Sequence, residues 1–198
     1  MKQCMYIHGG DVFLGRDEYY ARLAESEVDP TQNRTMRRQR IEQAIRNTHT
    51  MRMPDMPGKQ VATYLARKIR FEKLLPFCND EGTTLIWYSL GASFLSKRLS
   101  ENNFPKHLEQ LHLVAGRYDW QEKGWDFGFD FEQASHIEKQ CNQVFLYHAT
   151  DDPIVPYKDS EMLKSYLPHA ELITFETRGH FFQPAFPELL ERMKVYKR

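Results

Sequence analysis

The chain has 198 residues, 41% of them hydrophobic and 13% aromatic. At about 150 residues per domain, this leads to the expectation of a single domain over 1–198. Lysine plus arginine and aspartate plus glutamate each total 27, so no net field exists to gather nucleic acid or an anionic membrane surface. No apolar run approaches the roughly 18 residues needed to span a bilayer, and the amino terminus lacks a signal peptide's apolar stretch and cleavage site, so a cytoplasmic protein is expected.

Gln3 to Ile7 reads as a first strand, stopped by His8-Gly9-Gly10, whose glycines allow a sharp turn. Helix-forming composition follows from Gly15 to about Ala24 and again from about Asn33 to Thr48, with Asp29-Pro30-Thr31 as a turn between. The second stretch carries Arg34, Arg37, Arg38, Arg40 and Arg46 with no interleaved aromatic residues, which reads as a solvated helix face. Thr50 to Met53 reads as a short second strand, and 54–58 as a loop rich in breakers. Val61, Leu65, Ile69, Leu74 and Leu75 recur at near-helical spacing, predicting a helix that packs this face and ends before Pro76. Thr83 to Tyr88 is then a buried strand. Directly after Ser89 the pattern changes to Leu90, Phe94, Leu95 and Leu99 at helical spacing. Further short strands are expected at Leu111 to Ala115, Val144 to Ala149 and Glu171 to Phe175, with helices at Lys158 to Leu167 and Pro187 to Lys197. Strands alternating with helices imply an α/β fold with a doubly wound, mostly parallel sheet and helices on both faces. Trp120, Trp125, Phe127 and Phe129 fall in an aromatic loop that either lines an acyl pocket or seals the core. Cys4, Cys78 and Cys141 are odd in number and lack a Cys-x-x-Cys pair, which fits reduced thiols.

A serine hydroxyl is a weak nucleophile unless a base takes its proton, and it must protrude to reach a carbonyl carbon. Ser89 sits where a strand gives way to a helix, a geometry that exposes it. Gly91 lets the helix pass close to the strand. The Leu90 amide, at the helix amino terminus, is then one oxyanion donor. A second comes from the loop after the first strand, at Gly10 or Asp11. Asp151-Asp152-Pro153 follows a strand, so either aspartate is placed to orient a histidine. His180, between Gly179 and Phe181, follows the last strand. Ser, Asp, His is the chain order of α/β-hydrolase triads. His8 reads as a loop brace, and His112, His136, His148 and His169 as core or surface residues without metal-ligand spacing.

Ser89-Leu90-Gly91, Asp151-Asp152-Pro153 to Pro156 and Gly179-His180-Phe181 resemble the small serine hydrolases related to retinoblastoma-binding protein 9. The segments from Ile7 to Val12 and from Leu99 to Pro105 are also similar to uncharacterised microbial members of that group, so the resemblance covers most of the chain. It implies an α/β-hydrolase sheet of about six strands. It also implies Ser89 as nucleophile, His180 as base and Asp152, which directly precedes proline, as the acid, but carries over no substrate. The ordered triad itself leads to the expectation of an enzyme that hydrolyses a small ester or related acyl substrate without cofactor or metal. The family elbow usually reads Gly-x-Ser-x-Gly, whereas this chain has Trp87 and Tyr88 at the first two positions. A bulky side chain there is expected to crowd the turn, which gives a rival expectation of a catalytically weakened or inactive hydrolase-fold binding protein. A phosphate-cradling role for Gly9-Gly10 is set aside because no further glycine fingerprint follows.

Overall fold

The computed structural model describes residues 1–27, 36–120, 125–128 and 130–194. Its strands are β1 (Lys2–Ile7), β2 (His49–Arg52), β3 (Thr83–Tyr88), β4 (Leu108–Val114), β5 (Cys141–Ala149) and β6 (Glu171–Phe175). They form one six-stranded sheet in the order β2-β1-β3-β4-β5-β6. Every neighbouring pair is parallel. The helices are α1 (Arg16–Glu25), α2 (Met36–Ile45), α3 (Tyr64–Glu72), α4 (Leu90–Glu101), α5 (Ser135–Lys139), α6 (Lys158–Tyr166) and α7 (Pro187–Lys194).

Successive strand residues point to opposite faces, and here both faces are covered. Met5, Ile7, Leu85, Trp87, Leu111, Leu113, Val144 and Leu146 enter one core with Phe71 of α3, Phe94 of α4 and Leu163 of α6. Their neighbours Cys4, Tyr6, Ile86, Val114, Phe145 and Tyr147 enter the other with Ile41 and Ile45 of α2 and Leu189 and Met193 of α7. Burial on both faces explains why Leu85-Ile86-Trp87 of β3 reads as a continuous apolar run rather than an alternating one.

The strand order reverses direction between β1 and β3, which are adjacent. Loops leaving the carboxyl ends of these two strands diverge, and the crevice between them is where open α/β sheets place ligands. The loops concerned are His8-Gly9-Gly10 and the Ser89 turn.

Several expected boundaries move. β4 and β5 begin three residues earlier than expected, because Leu108-Glu109-Gln110 and Cys141-Asn142-Gln143, whose polar residues break the apolar pattern, join the parallel ladder. α5 is a short helix that apolar periodicity does not announce. Residues 33–35 and 195–197 of the expected helices, and Phe129 of the aromatic loop, lie outside the described residues.

A larger difference concerns α3: of the expected packing face, Leu74 and Leu75, beyond the end of the helix, join the core, whereas the helical part of that face lies outwards. Val61, Leu65 and Ile69 are exposed, at 46%, 63% and 53% of their surface. The buried positions are Tyr64, Arg67 and Phe71. Thr63 caps this helix by accepting from the Ala66 amide at 3.3 Å, and Phe71 packs edge-on against Trp87 and Phe94. Two aromatic anchors fix the helix's rotation, at the cost of burying an arginine. Among the described residues no helix is long and apolar enough to cross a membrane.

Candidate active site

Ser89 ends β3 and begins α4 in a backbone conformation of φ 54°, ψ −125°. A non-glycine residue there carries strain of about 1–3 kcal/mol, held only because the surroundings leave no alternative. The Ser89 amide donates to the Val114 carbonyl of β4 at 2.7 Å, and its carbonyl accepts from the Ser93 amide at 3.3 Å. Close approach does the rest. A Cβ on Gly91 would lie 2.9 Å from the His8 carbonyl oxygen, and one on Gly9 would lie 2.9 Å from Ser89 Cβ. Both glycines are therefore needed for the β1 loop and the Ser89 turn to touch.

The bulky residue at position 87 does not crowd this turn. Its side chain lies on the α3/α4 face of the sheet, fully buried, stacked on Phe94 with ring centroids 5.3 Å apart and edge-on to Phe71 at 5.1 Å. Tyr88 lies on the opposite face and donates its hydroxyl to the His180 carbonyl. The Arg37 guanidinium sits 4.9 Å above the Tyr88 ring, and Arg37 Nε donates to the Gln183 carbonyl at 3.1 Å. Half-exposed Arg37, a member of the basic cluster, thus also braces the region of the site.

His180 is almost fully buried, at 4% exposure, and follows Gly179, whose φ is 50°. Its Nε2 lies 3.0 Å from Ser89 Oγ and its Nδ1 lies 2.8 Å from Asp152 Oδ2. A carboxylate accepts only, so Nδ1 carries a proton, and Nε2 faces the serine hydroxyl. Asp152 Oδ1 accepts from the Ile154 and Val155 amides at 2.8 and 3.0 Å. Burial alone would raise this carboxyl's pKa, but hydrogen bonds from His148, His180 and these two amides outweigh it and hold the group well below the usual carboxylate range. Asp152 is consequently a fixed negative charge facing His180.

The neighbouring aspartate does something else. Asp151 Oδ1 accepts from the Arg178 and Gly179 amides at 3.1 and 2.7 Å, so it ties the β5 loop to the loop that carries His180.

The two expected oxyanion regions meet at Ser89. Leu90 is the first residue of α4, and its amide opens the helix beside the serine. In the β1 loop, the Asp11 amide donates to the Lys59 carbonyl at 3.0 Å, so it is engaged away from the serine, and Gly10 is the remaining candidate. His8 braces the loop, with Nε2 accepting from the Met56 amide at 3.1 Å and Nδ1 lying 2.6 Å from the Gly9 carbonyl. The amide fixes Nε2 as the acceptor, so Nδ1 carries the proton. Burial, aided by the charges of Arg67, Lys59 and Arg38, keeps the His8 pKa below its ordinary value despite the Gly9 hydrogen bond.

His148, which the sequence presents as one core or surface histidine among several, stands directly behind the acid. It is fully buried, with Nε2 3.0 Å from the Val155 carbonyl and 3.4 Å from Asp152 Oδ2, and Nδ1 2.6 Å from Ser160 Oγ. The Val155 carbonyl accepts only, so Nε2 carries a proton, while Nδ1 faces the Ser160 hydroxyl. Its position four residues before Asp152 was the available signal, but a lone histidine at a strand end does not reveal what it faces. Trp120 and Trp125 pack together at 4.9 Å, and Trp120 packs on the buried Phe127 at 5.7 Å, so these rings seal the α4 side of the core.

No protein-family model matches the chain. It is 30% identical over 125 residues to the rat (Rattus norvegicus) serine hydrolase RBBP9, a match covering 58% of this chain and 61% of that protein. The aligned part thus spans about three fifths of the curated relative. Among solved structures, the ydeN gene product of B. subtilis superposes with a TM-score of 0.74 over 99% of this chain and 98% of that one, at 17% identity. A lipase-esterase related protein from Clostridium acetobutylicum superposes at 0.60 over 99% and 94%, at 15% identity. The chain has the α/β-hydrolase fold, and over the aligned span it is similar in sequence to a serine hydrolase.

Proposed function

We propose that this protein is a serine hydrolase that cleaves a small ester or related acyl compound, with Ser89 as nucleophile, His180 as general base and acid, and Asp152 as the group that orients the imidazole. The observation that carries the reading is the unbroken line from Ser89 Oγ through His180 to Asp152, at 3.0 and 2.8 Å, on a serine held in a strained turn.

In the first half-reaction Ser89 Oγ bonds to the substrate carbonyl carbon while its proton passes to His180 Nε2. The resulting imidazolium is stabilised by the Asp152 carboxylate. The carbonyl π electrons move onto oxygen, where the amides of Leu90 and Gly10 are the candidate donors. Collapse of this intermediate expels the alcohol or related leaving group, which takes the proton from His180. Water then attacks the acyl-enzyme, gives its proton to His180, and Ser89 recovers that proton as the acid product leaves. The chemistry calls for no cofactor or metal. An ester needs less activation of its leaving group than an amide, so an esterase is the reading favoured within this class.

No observation favours the rival binding-protein reading, since its motive was the crowding that position 87 does not cause. Turnover of a series of short p-nitrophenyl esters by wild type and by Ser89→Ala tests the proposal. Ester hydrolysis is expected to be abolished by the substitution. Equal rates for the two proteins would overturn it.

A further inference from the structure

Arg67 is the most unusual side chain in the molecule outside the Ser89 site. It lies on the inner face of α3, is 0% exposed, and its Nε and Nη1 have no hydrogen-bond partner among the described residues. Burying guanidinium donors without partners opposes folding, so such a group requires an explanation. Burial lowers its pKa to about 10, against a smaller opposing effect of Asp11, so it remains charged at neutral pH.

The one described hydrogen bond of its guanidinium is informative. Arg67 Nη2 donates to the Gly9 carbonyl at 3.0 Å, and the same oxygen accepts from His8 Nδ1 at 2.6 Å. Both lone pairs of the Gly9 oxygen are therefore occupied by donors on side chains that are themselves fixed. The peptide joining Gly9 to Gly10 is trans and planar, so its C=O and N–H point in opposite directions. Pinning the oxygen on the α3 side turns the Gly10 N–H away from α3. A cation on the oxygen also polarises the peptide and strengthens the N–H as a donor. A Cβ at Gly10 would lie 2.5 Å from Arg67 Nη2 and 2.7 Å from the Lys59 carbonyl oxygen, so the guanidinium can reach the Gly9 carbonyl only because this residue is glycine.

We propose that Arg67, together with His8, is a positioning residue that clamps the Gly9 carbonyl and so aims the Gly10 amide at the developing oxyanion. The inference rests on the hydrolase reading of the same site. Arg67 touches no reacting atom, and its effect runs entirely through one peptide plane.

The test measures kcat and KM per titrated Ser89, with a p-nitrophenyl ester as substrate and a trifluoromethyl ketone as transition-state analogue. Arg67→Met is expected to lower kcat by about 10- to 100-fold, part of what removing a whole oxyanion donor costs. KM should stay within about threefold, and the ketone should weaken in parallel with kcat. Arg67→Lys keeps a cation but not the planar fork, and is expected to retain a tenth to a half of wild-type kcat, roughly as a single-point donor would. A merely structural role would lower the titratable fraction and leave kcat per site and the ketone's affinity unchanged, which overturns the inference. Should Arg67→Met not fold, Arg67→Lys decides alone, and wild-type kcat with wild-type ketone affinity overturns the proposal. Wild type that neither turns over esters nor labels at Ser89 overturns the hydrolase reading and this inference with it, whereas active wild type with insensitive variants overturns only the latter.

Discussion

Replacing Trp87 by glycine restores the residue usual two positions before such a nucleophile, and the structure gives a definite expectation for the outcome. The indole is fully buried between Phe71 and Phe94. A buried tryptophan contributes about 150–250 Å² of area, worth about 4–6 kcal/mol at roughly 25 cal/mol per Å². Measured Trp→Ala truncations in cores cost about 3–5 kcal/mol, and glycine within a strand adds about 0.5–1 kcal/mol. Trp87→Gly is therefore expected to destabilise by about 4–6 kcal/mol, against a typical domain stability of about 5–15 kcal/mol. Urea unfolding followed by circular dichroism should show the midpoint falling by about 2–3 M for a slope of roughly 2 kcal/mol per M. The rate at which a fluorophosphonate labels the folded fraction should not rise. Trp87→Phe separates volume from chemistry. It removes the indole N–H, which is buried without a hydrogen-bond partner among the described residues, and should cost only about 1–2 kcal/mol with an unchanged labelling rate. A Trp87→Gly protein with the wild-type urea midpoint and a labelling rate raised tenfold or more would refute this reasoning, because it would show that the indole crowds the turn.

Two further outcomes follow from the aspartate pair. Asp152→Asn should lower kcat by about 10³- to 10⁴-fold, because an amide no longer fixes the His180 tautomer, and kinetics normalised to folded protein check it. The same carboxyl has its folded pKa below its unfolded one, so its contribution to stability is complete above about pH 4 and is lost as the pH falls towards the folded value. Urea midpoints below about pH 4 should accordingly fall less steeply for Asp152→Asn than for wild type. Asp151→Ala should lose two charge-assisted hydrogen bonds to the His180 loop, lowering stability by about 1–3 kcal/mol and kcat by only about tenfold or less. A loss as large as that of Asp152→Asn would exchange the parts assigned to the two aspartates.

Much of this architecture was legible because its signals are local. The β3 strand, the Ser89 turn and the α4 periodicity share one continuous segment, and glycine at position 91 is dictated by backbone approach. What stayed hidden depends on contacts between distant segments. The rotation of α3 is set by Phe71 meeting Trp87 and Phe94, which turns the Val61, Leu65 and Ile69 stripe outwards. The crowding expected from position 87 disregarded which sheet face its side chain occupies, a matter of register rather than size. Arg67 and His148 look like an ordinary helix arginine and strand histidine until the fold brings them to the Gly9 carbonyl and the Asp152 carboxylate.

The central claim, that Ser89 is an activated nucleophile, is tested most directly by treating the folded protein with a small fluorophosphonate and reading the intact mass. The account predicts a single adduct that maps to the peptide containing Ser89, forms at a rate dependent on His180, and is absent from Ser89→Ala. Folded wild type without any adduct across probes of differing size, or an adduct that persists in Ser89→Ala, would contradict it.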